Sequence, residues 1–312
     1  MINVPFFPII DNPNKYRRGK FSFFHTYFKS LYPNMYNDML KNMGQDTEPT
    51  PDPAPQPTDP IMMQPQRQER SAEEIAAANV PAVYFDDNDV QSSSDNVMVV
   101  NCQPRAKARK NCLSGPGFMP VDTKGKQQVR ADFASISHPI SCLISFGTVD
   151  SRNMMAVALR ALLSDQQLKE TVQPVCLIGP HFQQCEIVET LLSAFSQSKI
   201  IRNCQSVLEL PFLCDIAIGA PGVSHAERLY AGIPTVLVPQ SESHIALCMN
   251  WHDEGCALYA DPEPKHIARQ INALIANNFN RARTISNEGQ RVIDGKGASR
   301  IVAELALQRQ SI

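Results

Sequence analysis

Residues 139–163 read PISCLISFGTVDSRNMMAVALRALL. A short β-branched, apolar run over 140–146 meets a glycine-containing turn, and the helical period then begins. Met154, Val157, Ala158, Ala161 and Leu162 recur at i, i+3, i+4, i+7 and i+8, so one face of that helix is apolar and can lie on a sheet. The alternation repeats downstream, with strand candidates at 174–178, 199–202, 216–218, 235–238 and 257–259. Helical faces are expected from Ile187, Leu191, Ala194 and Phe195, and again from Ile267, Ile271, Leu274 and Ile275, the latter helix opening on Asp261 as cap and Pro262 as first residue. Strand and helix in strict alternation mark a parallel sheet with helices on both faces. The expected fold class is therefore α/β, with one complete doubly wound Rossmann-like domain over 139–307.

Upstream the composition changes. Residues 45–66, QDTEPTPDPAPQPTDPIMMQPQ, carry prolines at 49, 51, 53, 55, 57, 60 and 65, which fix φ, remove amide donors and favour an extended chain. A linker is expected over 45–70. Residues 1–44 form an aromatic-rich segment too short to bury a core alone, and it either docks on the body or contacts a protein partner as an arm. Residues 71–138 carry a capping box at Ser71 and Glu74 and strands at 80–85 and 97–100. Arg105, Lys107, Arg109 and Lys110 then crowd an irregular stretch that reads as a solvated basic face.

A 312-residue chain that is 43% apolar and 19% charged falls in the globular class. Its formal charge of −2 gives no global attraction to nucleic acid or to an anionic membrane. No run approaches the roughly 18–20 apolar residues of a bilayer span, and Pro5 and Pro8 break the apolar start, so a cytoplasmic chain is expected. The nine cysteines include no C-x-x-C pair and read as buried reduced thiols, with no metal site.

In an open parallel sheet, ligands bind beyond the carboxyl ends of the strands, where helix N-termini present free amides. Two turns qualify. The first, SFGTVD over 145–150, contains Gly147 and Thr148. The second, IGAPGVSHAE over 218–227, offers Gly222, Val223 and Ser224 for a diphosphate and, one helical turn on, Glu227 for ribose hydroxyls. Neither turn carries G-x-G-x-x-G, which argues against a dinucleotide cofactor, and the absence of G-x-x-x-x-G-K-[ST] excludes a P-loop NTPase. His225 and His244 are the candidate bases, His181 follows another strand, and His138, His252 and His266 read as surface positions.

The block CDIAIGAPGVSHAERLYAGIPTVLVPQSESH over 214–244 resembles the C-terminal half of GT-B nucleotide-sugar enzymes. It is most similar to the UDP-2,4-diacetamido-2,4,6-trideoxy-β-L-altropyranose hydrolases of pseudaminic acid synthesis and their relatives among family 28 glycosyltransferases. VPAVYFDDND (80–89), LSGPGFMPVD (113–122), LISFGTVDSRN (143–153) and VIDGKGASRIV (292–302) agree in order. The resemblance implies a GT-B-like fold in which residues 71–138 are an incomplete N-terminal α/β domain, a UDP-sugar substrate, no cofactor, and hydrolysis that releases UDP. A GT-B glycosyltransferase and a non-catalytic UDP-binding relative acting through a partner are the alternatives. It also implies that Glu227 binds ribose, that Gly147, Gly222 and Ser224 line the diphosphate, and that Glu242, Ser243 and His244 lie near the sugar. The sequence departs from the family at Pro221 and Val223, which stand where glycine and a hydroxyl residue are usual, and at Ser243 and His244, which replace Asn and Gln. The family's G-x-G-H-x-x-R loop, whose histidine activates water, has no counterpart; the sole histidine before residue 138 is His25, within FSFFHTYF.

Overall fold

A computed structural model describes residues 9–11, 82–85, 97–123, 133, 136, 139–179, 181–202, 204 and 206–309. The expected linker, the capping box at Ser71, and His25 and His138 lie outside the described residues. The chain divides into two compact units, one of 1–118 with 298–312 and the other of 119–297. The terminal helix thus groups with the first unit, whereas the repeat of strand and helix predicts a single body through 307.

The first unit contains four parallel strands in the order β1 (Ile9–Asp11), β2 (Ala82–Phe85), β3 (Val97–Asn101) and β4 (Cys112–Ser114). Ile9 pairs with Val83 and Asp11 with Phe85, so three residues of the aromatic-rich segment form a sheet edge. The closing helix Gly297–Arg309 carries Arg300, whose Nη1 donates to the carbonyl of Gly117 at 2.9 Å.

The second unit holds six parallel strands: β5 (Ile140–Ser145), β6 (Val172–Ile178), β7 (Lys199–Arg202), β8 (Ile216–Gly219), β9 (Thr235–Leu237) and β10 (Leu258–Tyr259). Their spatial order is β10-β9-β8-β5-β6-β7. Numbered within this sheet, that is the 3-2-1-4-5-6 order of a doubly wound fold. All six strands fall where the β-branched runs predict them. The central strands are buried because helices cover the sheet, and β8 has no exposed position.

Helix α1 (Met154–Leu163) turns the expected face inward, with Met155, Ala158, Leu159, Ala161 and Leu162 at 1% exposure or less. Burying side chains of this size contributes about 1.5–3 kcal/mol for each large one. A short α2 (Gln166–Thr171) follows, begun by Asp165, which accepts from the Leu168 amide and from Asn272 Nδ2. Helix α3 (Cys185–Leu192) buries Val188 and Leu192 instead of Ile187, which is 41% exposed. The helix ends before Ala194 and Phe195, so the expected stripe has its phase wrong by one position. Helices α4 (Val223–Tyr230) and α5 (Glu242–Asp253) follow β8 and β9.

The long α6 (Pro264–Val292) begins at Glu263 and Pro264, two residues later than the expected Asp261 and Pro262. Asp261 is engaged elsewhere, accepting from the Tyr259 hydroxyl at 2.5 Å and from His266 Nδ1 at 2.8 Å. The helix breaks where Asn277, Asn278 and Phe279 take left-handed φ values of 51°, 52° and 60°. Asparagine tolerates that region; Phe279 is held there against Phe133, with ring centroids 6.1 Å apart. All nine cysteines are free, and burial pushes the Cys176, Cys248 and Cys256 thiols up to about 12, which keeps them protonated and inert.

Candidate functional site

The strand order reverses between β5 and β8, which makes the crevice beyond their carboxyl ends the expected ligand site of this sheet. Ser145 pairs with Gly219 at that seam, and the Ala220 amide donates to the Ser145 carbonyl at 3.3 Å. Both turns singled out from the sequence therefore open side by side. A third segment joins them. Gln240 Nε2 donates to the Phe146 carbonyl at 2.7 Å, and Arg152 Nη1 to the Gln240 carbonyl at 3.3 Å, which ties the entry of α5 to the first turn.

Close approach of backbones explains two glycines. A Cβ on Gly179 would lie 2.6 Å from Thr148 Cα, so the residue after β6 presses directly on the first turn. A Cβ on Gly219 would lie 2.5 Å from the Ser145 carbonyl oxygen and 2.9 Å from Arg228 Nη1. Gly219→Ala is expected to destabilise the fold by about 1–3 kcal/mol, because a backbone atom must move to admit the methyl group. Urea unfolding checks this; an unchanged midpoint would mean the seam is looser than its distances indicate.

The two helix ends at the seam differ. At α1 the Asp150 carboxylate accepts from the amides of Met154 at 2.8 Å and Met155 at 2.9 Å, so that end supplies its own anion. Burial raises the Asp150 pKa against the opposing pull of those two amides. At α4 the N-cap is Gly222, and among the described residues no side chain caps the helix. The first amides of a helix have no partner within it and carry the positive end of its dipole. A Cβ on Gly222 would meet nothing within 4 Å, and neither would one on Gly147, whose φ of +82° favours glycine. Open space thus stands over both glycines, and an uncapped helix end adjoins one of them. Gly222 and Gly147 are exposed, and Thr148, Val223 and Ser224 are half-buried.

Behind this surface the side chains are buried. Glu227 is 3% exposed, and its Oε2 accepts from the Val207 amide at 2.9 Å, which fixes the 3-10 turn Val207–Glu209 before β8. His225 has no exposed surface. Its ring stands edge-on to Trp251 with centroids 5.1 Å apart, and neither of its nitrogens has a hydrogen-bond partner. Burial, and then the nearby Arg228 guanidinium, hold His225 well below its ordinary value, so it is a neutral packing ring. This corrects the expectation that His225 faces a ligand, because a base must reach the attacking water. His244 lies half-buried in the first turn of α5, beside exposed Glu242 and Ser243, and its amide donates to the Ser241 carbonyl. His181 sits in an exposed turn after β6, and His252 Nδ1 meets the Ala257 carbonyl.

Arg228 carried no role in the sequence reading. Its guanidinium is fully buried, with Nη2 donating to the Ala220 carbonyl at 2.7 Å and Nη1 at 3.4 Å from Ser224 Oγ. Among the described residues, no cluster of His, Cys, Asp or Glu is placed to hold a metal ion, and no helix is long and apolar enough to cross a membrane.

The fold is that of the GT-B class. MurG of Acinetobacter baumannii, at 16% sequence identity, superposes with a TM-score of 0.53, covering 75% of this chain and 69% of that one. The spinosyn rhamnosyltransferase SpnG, at 15% identity, gives a TM-score of 0.51 with 74% and 69% covered. In sequence the chain is 23% identical over 182 residues to the spore coat polysaccharide biosynthesis protein SpsG of Bacillus subtilis. It is 36% identical over 104 residues to the uncharacterized protein MJ1062 of Methanocaldococcus jannaschii. The chain spans 53% of the length of SpsG and 21% of that of MJ1062. No family model matches it.

Proposed function

We propose that this protein binds a UDP-sugar across the carboxyl ends of β5 and β8 and hydrolyses it to UDP and the free sugar. The observation that carries the reading is the uncapped N-terminus of α4, with open space over Gly222, at the point where the strand order reverses. Amides at 222–224 and the Ser224 hydroxyl hold the diphosphate, and Gly147 and Thr148 line its other side. Sugar transfer in the name of SpnG and polysaccharide biosynthesis in that of SpsG agree with a sugar-linked diphosphate as ligand. Glu227 serves the site from within by holding the Val207 turn through Oε2, and a ribose hydroxyl would donate to the acceptor capacity that remains on its carboxylate. Glu242 and Ser243 border the sugar. His244 is the base in this scheme: water attacks the anomeric carbon, its proton passes to His244, and the carbon–oxygen bond to the β-phosphate breaks, with the electron pair leaving on UDP.

A second reading, a binding protein without turnover, is favoured by the interior position of His225, which leaves one histidine at the seam. Calorimetry with UDP and an assay of UDP release from UDP-sugars separate the two. Release that falls about 100-fold or more in His244→Ala supports hydrolysis; binding without release supports the second reading; absence of both refutes the site. Transfer would appear as release that depends on an added acceptor.

A further inference from the structure

Beneath the proposed diphosphate turn lies a cation that no solvent reaches. Arg228 enters under the end of β8, where only a glycine at 219 leaves it room, and its Nη2 draws down the Ala220 carbonyl. Nη1 reaches Ser224 Oγ, which accepts that contact and so directs its own proton elsewhere. We propose that Arg228 is the positioning residue of the anion site: it fixes the 220–224 turn from below, turns the Ser224 hydroxyl into a donor, and adds positive potential under the phosphates.

This rests on the nucleotide reading above, and it assigns the preference for phosphate over nucleoside to a residue that touches neither. Charge in a buried setting acts with less screening than at a surface. Burial lowers the guanidinium only to about 10, so it stays charged at neutral pH. The groups facing it are Glu227 on its own helix, His225, which is held neutral, and Cys248 of α5, whose thiol is pushed up to about 12. Of these only Glu227 bears a charge that offsets the guanidinium's, and its Oε2 also accepts from the Val207 amide.

The test compares the affinities of UDP and uridine for the full chain. Purely structural damage weakens both ligands alike, whereas loss of the cation weakens UDP selectively. In Arg228→Met, UDP is expected to weaken about tenfold or more while uridine changes by less than about threefold. Equal losses, or none, overturn the proposal. Should that variant fail to fold, Arg228→Lys decides. A buried lysine has its pKa lowered, so its UDP-to-uridine preference should fall about threefold or more between pH 7 and 8.5 while the parent's stays level. A level preference in Arg228→Lys refutes the role. A parent that binds uridine but not UDP at pH 7 refutes the diphosphate site itself, a failure distinct from these.

Discussion

Gly222→Asp should leave the protein folded and slightly more stable, yet weaken UDP binding by about 100-fold or more. Gly222 is the N-cap of α4 with φ −81° and ψ −163°, an extended conformation that aspartate adopts without strain. A Cβ there meets no atom within 4 Å. Aspartate is a better N-cap than glycine by a few tenths of a kcal/mol, since its carboxylate accepts from the first amides. The variant would convert α4 to the arrangement α1 already has, where Asp150 occupies the amides of Met154 and Met155. A carboxylate in that position repels phosphate and takes its donors. Thermal unfolding and UDP calorimetry on one preparation read both effects. Loss of stability would mean that position 222 does not admit a side chain, and retained UDP affinity would move the site elsewhere.

The second large effect concerns acid stability and His225. Its folded pKa is depressed by burial, so the native state keeps the ring neutral while the unfolded chain takes up a proton below about pH 6.5. The stability this neutral ring contributes is therefore present above the unfolded value and lost as pH falls. The slope approaches about 1.4 kcal/mol per pH unit for one proton where the unfolded imidazole is charged and the buried one is not. His225→Phe keeps a ring against Trp251 and removes two buried nitrogens that have no partner. Its stability at pH 7 should match or exceed the parent's, and its loss between pH 6.5 and 5 should be shallower, by up to about 1.4 kcal/mol per pH unit. Urea unfolding at both pH values measures the difference, and parallel curves would show that the imidazole titrates as it does in the unfolded chain.

The sheet of the second unit could be read from its sequence because buried parallel strands are short β-branched runs, and each such run from 140 onward became a strand. Helix ends were harder. Two acid–proline pairs stand in tandem at 261–264, and the choice between them depends on Tyr259 and His266 claiming Asp261, a contact that periodicity does not express. The apolar spacing predicts Ile187 on the inward face of α3, where Val188 stands instead, since an eight-residue helix offers too few repeats to fix a phase.

The two turns were legible as a pair because a glycine following a strand is visible locally. Their difference was not, since Asp150 caps α1 from four residues before Met154 with a φ of 45° that no local pattern announces. Burial of His225 and Arg228 depends on Trp251 and on Gly219, which belong to other elements. The edge strand Ile9–Asp11 lies far in sequence from its partner β2, and only the register shows the pairing.

In the proposed site, phosphate sits on the free end of α4. Amide-resolved NMR of the labelled chain titrated with UDP tests it most directly. Saturable shifts are expected at Gly147, Gly222, Val223 and Ser224, with the capped amides of Met154 and Met155 moving less. Saturation elsewhere with these four unmoved, or no saturation at all, would contradict it.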